Sequence, residues 1–241
     1  MGALFLERLK SGAPWFFDPH HLKVLHRGHV GCAAALELAR QWIDGGLDRV
    51  VVLAIDSYLD PFTLEWLEQR RRLKTSERPV GLMPGEAGAA VLVESRSSAV
   101  RRGTRVQAWI RAVTTGQEPR HLFQDKPNSG EALATVTAAC LDAAASNTPF
   151  RGDVVVDLNG EEWRAREWGN ARVRIAPRLD GALKWVLPAA SIGDVGAASG
   201  AVGLCVAIRS LVRRYATGRR VLVVSSSEWG DVGAILVAGE E

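Results

Sequence analysis

The alternation of apolar and polar positions divides the chain into helices and strands, most clearly between His29 and Asp56. Apolar residues in the first part of this segment recur at helical spacing, and Val50 to Ile55 form a short apolar run of strand length. The pair Gly45-Gly46 separates them, because glycine adopts the backbone angles that end a helix. The pattern therefore predicts a turn, a helix, a second turn and a strand.

The same criteria assign the rest of the chain. Strands are predicted over 22–28, 89–94, 103–114, 153–158, 220–224 and 233–238, and helices over 131–145, 161–172 and 196–213. The segment 62–74 is either a polar amphipathic helix or an extended excursion. Two motifs occur twice: a helix that opens at a small-residue turn (GCAAAL, GAASGAVGL), and a glycine-rich turn that enters a strand (PGEAGAAVLVE, EWGDVGAILVA). This order predicts an α/β fold of two related βαβ halves, 1–114 and 115–241, in one compact unit.

The composition argues against several classes of function, among them nucleic-acid binding and a membrane role. The hydrophobic fraction of 47% supports a sizeable core, and the net charge of +3 is spread along the chain with no nucleic-acid motif. No apolar run is long enough to span a membrane, and the N-terminus lacks a signal-peptide pattern. The three cysteines lie far apart and have no metal-ligand spacing. We therefore expect a cytoplasmic protein with reduced thiols, no cofactor and no metal site.

The turn before the first long helix holds two candidates for chemistry, His29 and Cys32. The amide groups at a helix N-terminus are unpaired, so such a turn suits a nucleophile or an anion. Cys32 is either a nucleophile or a small buried residue of the first helical turn. His29 is either a hydrogen-bonded core histidine or a base.

Four stretches together resemble the β-ketoacyl synthases of the thiolase fold. They are the helix, the Gly45-Gly46-Leu47-Asp48 turn and the strand beyond it; GLMPGEAGAAVLVE; SIGDVGAASGAVGL; and SSSEWGDVGAILV, which resembles the closing segment of that family. The resemblance covers roughly the last 210 residues. It implies a thiolase-like fold whose N-terminal half is truncated, because only about 28 residues precede His29.

The catalytic residues of that family are absent at the matching positions. The family uses a cysteine nucleophile, two histidines and a lysine, and these positions fall on His29, Asn159, Asp194 and Ala189. An imidazole is a poor acyl carrier, and an anionic Asp194 would oppose a developing oxyanion. A local shift of the alignment would instead put Cys32 at the nucleophile position.

Two functions remain open. The first is a catalytically degenerate ketosynthase-like protein that acts in binding or assembly, as chain-length-factor subunits do, or as an accessory in a type VI secretion or acyl-chain pathway. The second is an acyltransferase or thioester hydrolase that acts on acyl-CoA or acyl-carrier-protein substrates through Cys32 or a His29–Asp194 pair, with Asn159 donating a hydrogen bond.

The resemblance also predicts partners. In the family, the strand before the nucleophile pairs with its twin across a two-fold axis, so we expect a homodimer or heterodimer through a strand within 22–28. A partner chain, a remodelled lead-in or a late annotated start would account for the short N-terminal half. An acyl-carrier protein or acyl-CoA is the expected ligand, and neither nucleic acid nor a membrane is expected.

Overall fold

The computed structural model describes residues 7–8, 11–12, 19–143, 149–181 and 183–239. In these ranges helices and strands alternate from the first helix to the fifth strand, and two helices and two strands then follow. The helices are α1 Gly31–Asp44, α2 Pro61–Gln69, α3 Arg96–Arg101, α4 Glu131–Ala143, α5 Glu162–Ile175, α6 Ala189–Ile192 and α7 Ser199–Val212. The strands are β1 Arg49–Ser57, β2 Glu86–Glu94, β3 Trp109–Gln117, β4 Asp153–Val156, β5 Lys184–Val186, β6 Arg220–Ser226 and β7 Asp231–Ala238.

The strands form two sheets of unequal size. β1 and β2 make an antiparallel pair that runs from Arg49↔Glu94 to Ser57↔Glu86. The second sheet has the order β3-β7-β6-β4-β5, in which β4 is parallel to β5 and β6, while β7 is antiparallel to β6 and β3. Parallel neighbours need a helical crossover, which α5 and α7 provide.

Helices α1 and α7 lie between the two sheets. Their buried apolar residues, including Leu36 and Leu204, share one core with Val52 of β1 and with Val223 and Ile235 of the larger sheet. A second core on the far side of the larger sheet joins α4 and α5 to β4, β6 and β7. The described residues thus stack as strand pair, helices, sheet and helices.

Helix α1 and strand β1 agree with the prediction, and so do the positions of α4, α5, α7, β6 and β7. The end of α4 predicted at 145 lies outside the described residues. None of the helices in the described ranges is long and apolar enough to cross a bilayer.

The strand predicted within 22–28 is wrong. Residues 22–27 have no regular structure, and Gly28, at φ +50°, turns the chain into a short 3-10 turn that ends at Val30. A strand is stabilised by its neighbours, and neither sheet pairs with this segment. This finding concerns pairing within the chain, and a dimer interface through 22–28 stays a prediction.

The division predicted between 114 and 115 falls inside β3, which lies wholly in the larger sheet. Trp109 pairs with Ala238 and Gln117 with Asp231, so the whole strand depends on β7. We propose that the second half begins before Trp109, near the turn at Gly103.

Candidate functional site

The candidate site lies where the turns before α1 and α7 meet. Each turn is a three-residue 3-10 segment that opens at a glycine of positive φ, Gly28 at +50° and Gly196 at +54°, and each leads into a helix of 14 residues. His29 belongs to the first turn, and Asp194 stands two residues before Gly196. Both side chains are almost completely buried. The structure therefore brings together two residues that are 165 positions apart.

The Asp194 carboxylate accepts three hydrogen bonds. The imidazole Nε2 of His29 lies 2.8 Å from Oδ1, the side-chain amide of Asn159 donates to Oδ2 at 2.6 Å, and the backbone N–H of Gly196 donates to Oδ1 at 2.9 Å. Burial opposes ionisation of Asp194, but His29, Arg164 and Asn159 outweigh it and hold the pKa of this carboxyl well below its usual range. Asp194 is therefore an anion at neutral pH.

The proton on His29 follows from this charge. An ionised carboxylate only accepts hydrogen bonds, so Nε2 of His29 carries a proton that it donates to Asp194. The guanidinium Nη2 of Arg164 lies 3.4 Å from the same nitrogen, which then cannot accept from it. The remaining ring nitrogen, Nδ1, is the atom of His29 that could act as a base.

Arg164 places a buried cation beside this pair. Its Nη1 donates to Asp157 Oδ2 at 2.8 Å and to the backbone oxygen of Ser226, while the guanidinium stacks on the Trp163 ring at 4.5 Å. Burial lowers the pKa of Arg164, but Asp157, Asp194 and two further carboxylates outweigh that effect and raise it. Asp194 thus helps to balance the charge of a guanidinium that has lost its water.

A second buried arginine extends the network toward α2. Arg72 donates through Nε and Nη2 to the two carboxylate oxygens of Glu161, at 2.6 and 2.8 Å, and its Nη2 also donates to Glu228 at 2.6 Å. Glu161 in turn accepts from the Asn159 amide at 2.9 Å. This two-point pairing fixes the orientation of the arginine. The chain from Arg72 to His29 is therefore continuous.

The sequence analysis named His29, Asn159 and Asp194, which the structure brings into contact. It did not name Arg72, Arg164 or Glu161, which lie beside them. Arg72 sits in the basic run 70–72, which is typical of a solvated helix face. The signal that could have found them is Glu161, two positions after Asn159 at the start of a predicted helix. A carboxylate beside a site residue indicates that a cationic side chain lies nearby to balance its charge.

Cys32 lies outside this network. Cys32 lies in the first turn of α1 and is 1% exposed. It packs against α7, because a Cβ built on Gly200 would lie 3.1 Å from the Cβ of Cys32. Burial, followed by the nearby Cys205, raises the pKa of the Cys32 thiol to about 12. Since the thiolate is the nucleophilic form, this position is unfavourable for acyl transfer.

The space beside Asp194 is small. A cavity of about 20 Å³ touches Asp194, Ala189, which stands at the lysine position of the resembled family, and Ser199. This volume holds about one water molecule, and His29 does not line it. Within the described ranges, no group of three His, Cys, Asp or Glu side chains is arranged to hold a metal ion.

Comparisons with known proteins show what this chain is similar to. No protein-family model matches the chain. A curated relative is the ketoacyl synthase alpha subunit of the tetracenomycin polyketide synthase from Streptomyces glaucescens. It is 28% identical over an alignment of 194 residues, which covers 72% of this chain and 44% of the relative. The chain therefore spans less than half the length of that relative.

Solved structures of similar fold are ketosynthases. The ishigamide ketosynthase/chain length factor has a TM-score of 0.78 at 16% identity, covering 99% of this chain and 72% of that one. A type II polyketide synthase ketosynthase in complex with its acyl-carrier protein has a TM-score of 0.77 at 17% identity, covering 88% and 62%. An oxazolomycin ketosynthase domain from Streptomyces albus has a TM-score of 0.76 at 15% identity, covering 90% and 46%. The chain therefore has the thiolase-like fold of the ketosynthases and chain-length factors.

Proposed function

We propose that this protein is a non-condensing ketosynthase-like subunit that acts by binding or assembly in an acyl-chain pathway. The observation that carries the proposal is the buried, ionised Asp194, bonded to His29 at 2.8 Å where the resemblance places a catalytic histidine. A condensing site must stabilise negative charge that develops on a thioester oxygen. A fixed carboxylate raises the energy of that charge.

Three further features support this proposal. The nucleophile position holds an imidazole whose Nε2 proton is committed to Asp194. The nearest thiol, Cys32, is buried and protonated at neutral pH. The cavity beside Asp194 holds about one water and leaves no room for an acyl chain.

The expected partner is an acyl-carrier protein, because a ketosynthase of similar fold was solved with one. The chain-length-factor likeness agrees with a subunit that works beside another ketosynthase-like chain. A role as an accessory in a secretion cluster stays a prediction from the resemblance, and so do a dimeric state and a cytoplasmic location.

A thioester hydrolase is the second candidate, and the His29–Asp194 contact favours it. A carboxylate that orients an imidazole through one nitrogen leaves the other to take a proton from water. In this reading Asp194 and Asn159 position the ring, and Nδ1 of His29 is the base.

One experiment separates the two. The protein is incubated with a panel of acyl-CoA and acyl-carrier-protein thioesters, and intact mass and free CoA are followed for the parent, Cys32→Ala, His29→Ala and the control Cys205→Ala, a half-buried thiol of α7. The proposal expects no adduct and no turnover in any of them. An adduct lost only in Cys32→Ala would make the protein an acyltransferase. Turnover without an adduct, lost only in His29→Ala, would make it a hydrolase.

A further inference from the structure

The two halves of the chain differ in how they finish the same structural unit. In each half a 14-residue helix precedes an antiparallel strand pair, β1–β2 after α1 and β6–β7 after α7. In the second half β3 pairs with the outer edge of β7, and β4 pairs with the outer edge of β6. Among the described residues no strand pairs with the outer edge of β2, the counterpart of β7. Within the described ranges, the outward N–H and C=O groups of β2 therefore face no other strand.

The outward face of β1–β2 is also uncovered. Val51, Leu53, Ile55 and Leu92 are 43–58% exposed there, whereas their inward neighbours pack on α1 and α7. The equivalent outward face of β6–β7 is completely buried against helix α4, which follows β3 in the chain. Within this chain, a strand followed by a helix therefore completes both the edge and the face.

A groove runs along the free edge of β2. It has a volume of about 790 Å³ and lies between 90–94 of β2, the segment 104–113 and the facing sides of α1 and α7. Apolar side chains such as Val91, Val93 and Ile208 line its floor. A groove bordered by unpaired strand backbone favours an extended polypeptide, because backbone hydrogen bonds then supply affinity along its whole length.

The charge of the groove selects the kind of polypeptide. Six arginines line it against three carboxylates, those of Glu37, Asp44 and Glu94; the arginines are Arg40, Arg96, Arg102, Arg105, Arg111 and Arg209. Arg102 pairs with Glu94, and Arg105 and Arg111 have interactions of their own, so we consider only the exposed charges of Arg40 and Arg209. A second copy of this chain would bring an equally basic groove to the contact, which disfavours self-pairing.

We propose that this surface docks a strand–helix segment of a different polypeptide, whose acidic strand adds antiparallel to β2 in the groove and whose helix covers the outward face of β1–β2. This proposal rests on the assembly role proposed above. It identifies the partner by its chemistry, an acidic strand joined to a helix. The exposed Arg40 and Arg209, on α1 and α7, are the side chains that would meet the acidic strand.

The test uses short synthetic strands as probes. Fluorescein-labelled peptides of alternating valine and glutamate are titrated with the full chain, and binding is followed by fluorescence anisotropy. The matched controls carry lysine in place of glutamate, or the same sequence with N-methyl groups on alternate residues along one edge. The protein variants are Arg40→Glu with Arg209→Glu, and Arg213→Glu, an exposed arginine outside the groove.

The acidic peptide is expected to bind, and to bind at least about tenfold more weakly at roughly 0.5 M salt, where charges are screened over a few ångströms. The double variant should lose at least about tenfold in affinity for it, or about 1.4 kcal/mol, and should gain affinity for the lysine peptide. Arg213→Glu should match the parent. N-methylation of the edge that faces β2 should abolish binding, because it removes the hydrogen-bond donors.

Three results would overturn the proposal. They are no binding of the acidic peptide, binding that survives N-methylation whichever of the two edges carries the methyl groups, and a dimer in sedimentation that the double variant dissociates, which would assign the face to a second copy. The thioester assay reads a different property. A failed peptide titration with no thioester turnover refutes this surface alone, whereas an acyl adduct refutes the proposed function and leaves the titration to stand by itself.

Discussion

Replacing Asp194 by asparagine tests the central claim about the site, because it removes one buried charge and keeps the side-chain shape. His29, Asn159 and Gly196 all donate hydrogen bonds to this carboxylate. An amide has a single acceptor oxygen, so in either orientation its NH₂ group faces a donor. Arg164, which is completely buried, also loses one of the charges that balance it.

The expected loss is about 3–5 kcal/mol in the free energy of unfolding, the usual effect of removing one partner from a buried ion pair. For a chain of this size it corresponds to a fall in Tm of about 6–20 °C. Urea titration followed by far-UV circular dichroism measures it. The matched control is Asp142→Asn, which removes an exposed partner of Arg178 and should cost less than about 1 kcal/mol.

The same variant has a defined pH signature. Because the folded pKa of Asp194 lies below its unfolded value of about 3.9, the stability that it contributes is present above that pH and is lost as pH falls through the folded pKa. The difference between parent and Asp194→Asn should therefore shrink as the pH falls below about 4. A variant within about 1 kcal/mol of the parent, and no worse than the control, would refute the reasoning.

Other consequences can be measured on the same preparation. Gly200→Ala should destabilise the fold by about 1–3 kcal/mol, because the added Cβ would lie 2.7 Å from a main-chain oxygen in the turn before α1. Gly169→Ala has open space around its Cβ and should stabilise α5 by about 0.5–1 kcal/mol. Equal effects of the two substitutions in urea titration would contradict this reasoning. Cys32, with a pKa of about 12, should resist iodoacetamide at neutral pH until the protein unfolds, as peptide mapping would detect, and rapid labelling of the folded chain would show that the thiol is accessible. Arg72→Ala should cost about 3–5 kcal/mol by breaking the pair with Glu161, and Arg72→Lys should restore only part of it; full rescue by lysine would show that the two-point geometry is unimportant.

Local patterns in the sequence were sufficient for most of the longer helices and strands. The apolar spacing of α1 and the run of β1 depend on residues within one element, so periodicity and the Gly45-Gly46 stop place both of them. The segment 22–28 has a strand-like pattern and yet forms no strand, because pairing depends on a neighbouring edge that the pattern does not encode.

The candidate site also depends partly on local sequence motifs and partly on the tertiary structure. The resemblance alone singles out His29, Asn159 and Asp194 as candidates, because the small-residue turns that carry them are local motifs. Whether those side chains meet in an open tunnel or in a packed ionic cluster depends on what the rest of the chain brings to them.

The sequence by itself predicted most of the longer helices and strands, and the resemblance predicted that other residues stand at the positions of the condensing residues. Only the tertiary structure decided that Arg72 and Arg164 are buried beside the site, since their partners Glu161 and Ser226 lie 89 and 62 positions away. A charged side chain looks like a surface residue in sequence, because burial is favourable only when folding delivers its partner. The chemistry of this site is therefore set by long-range pairing of charges.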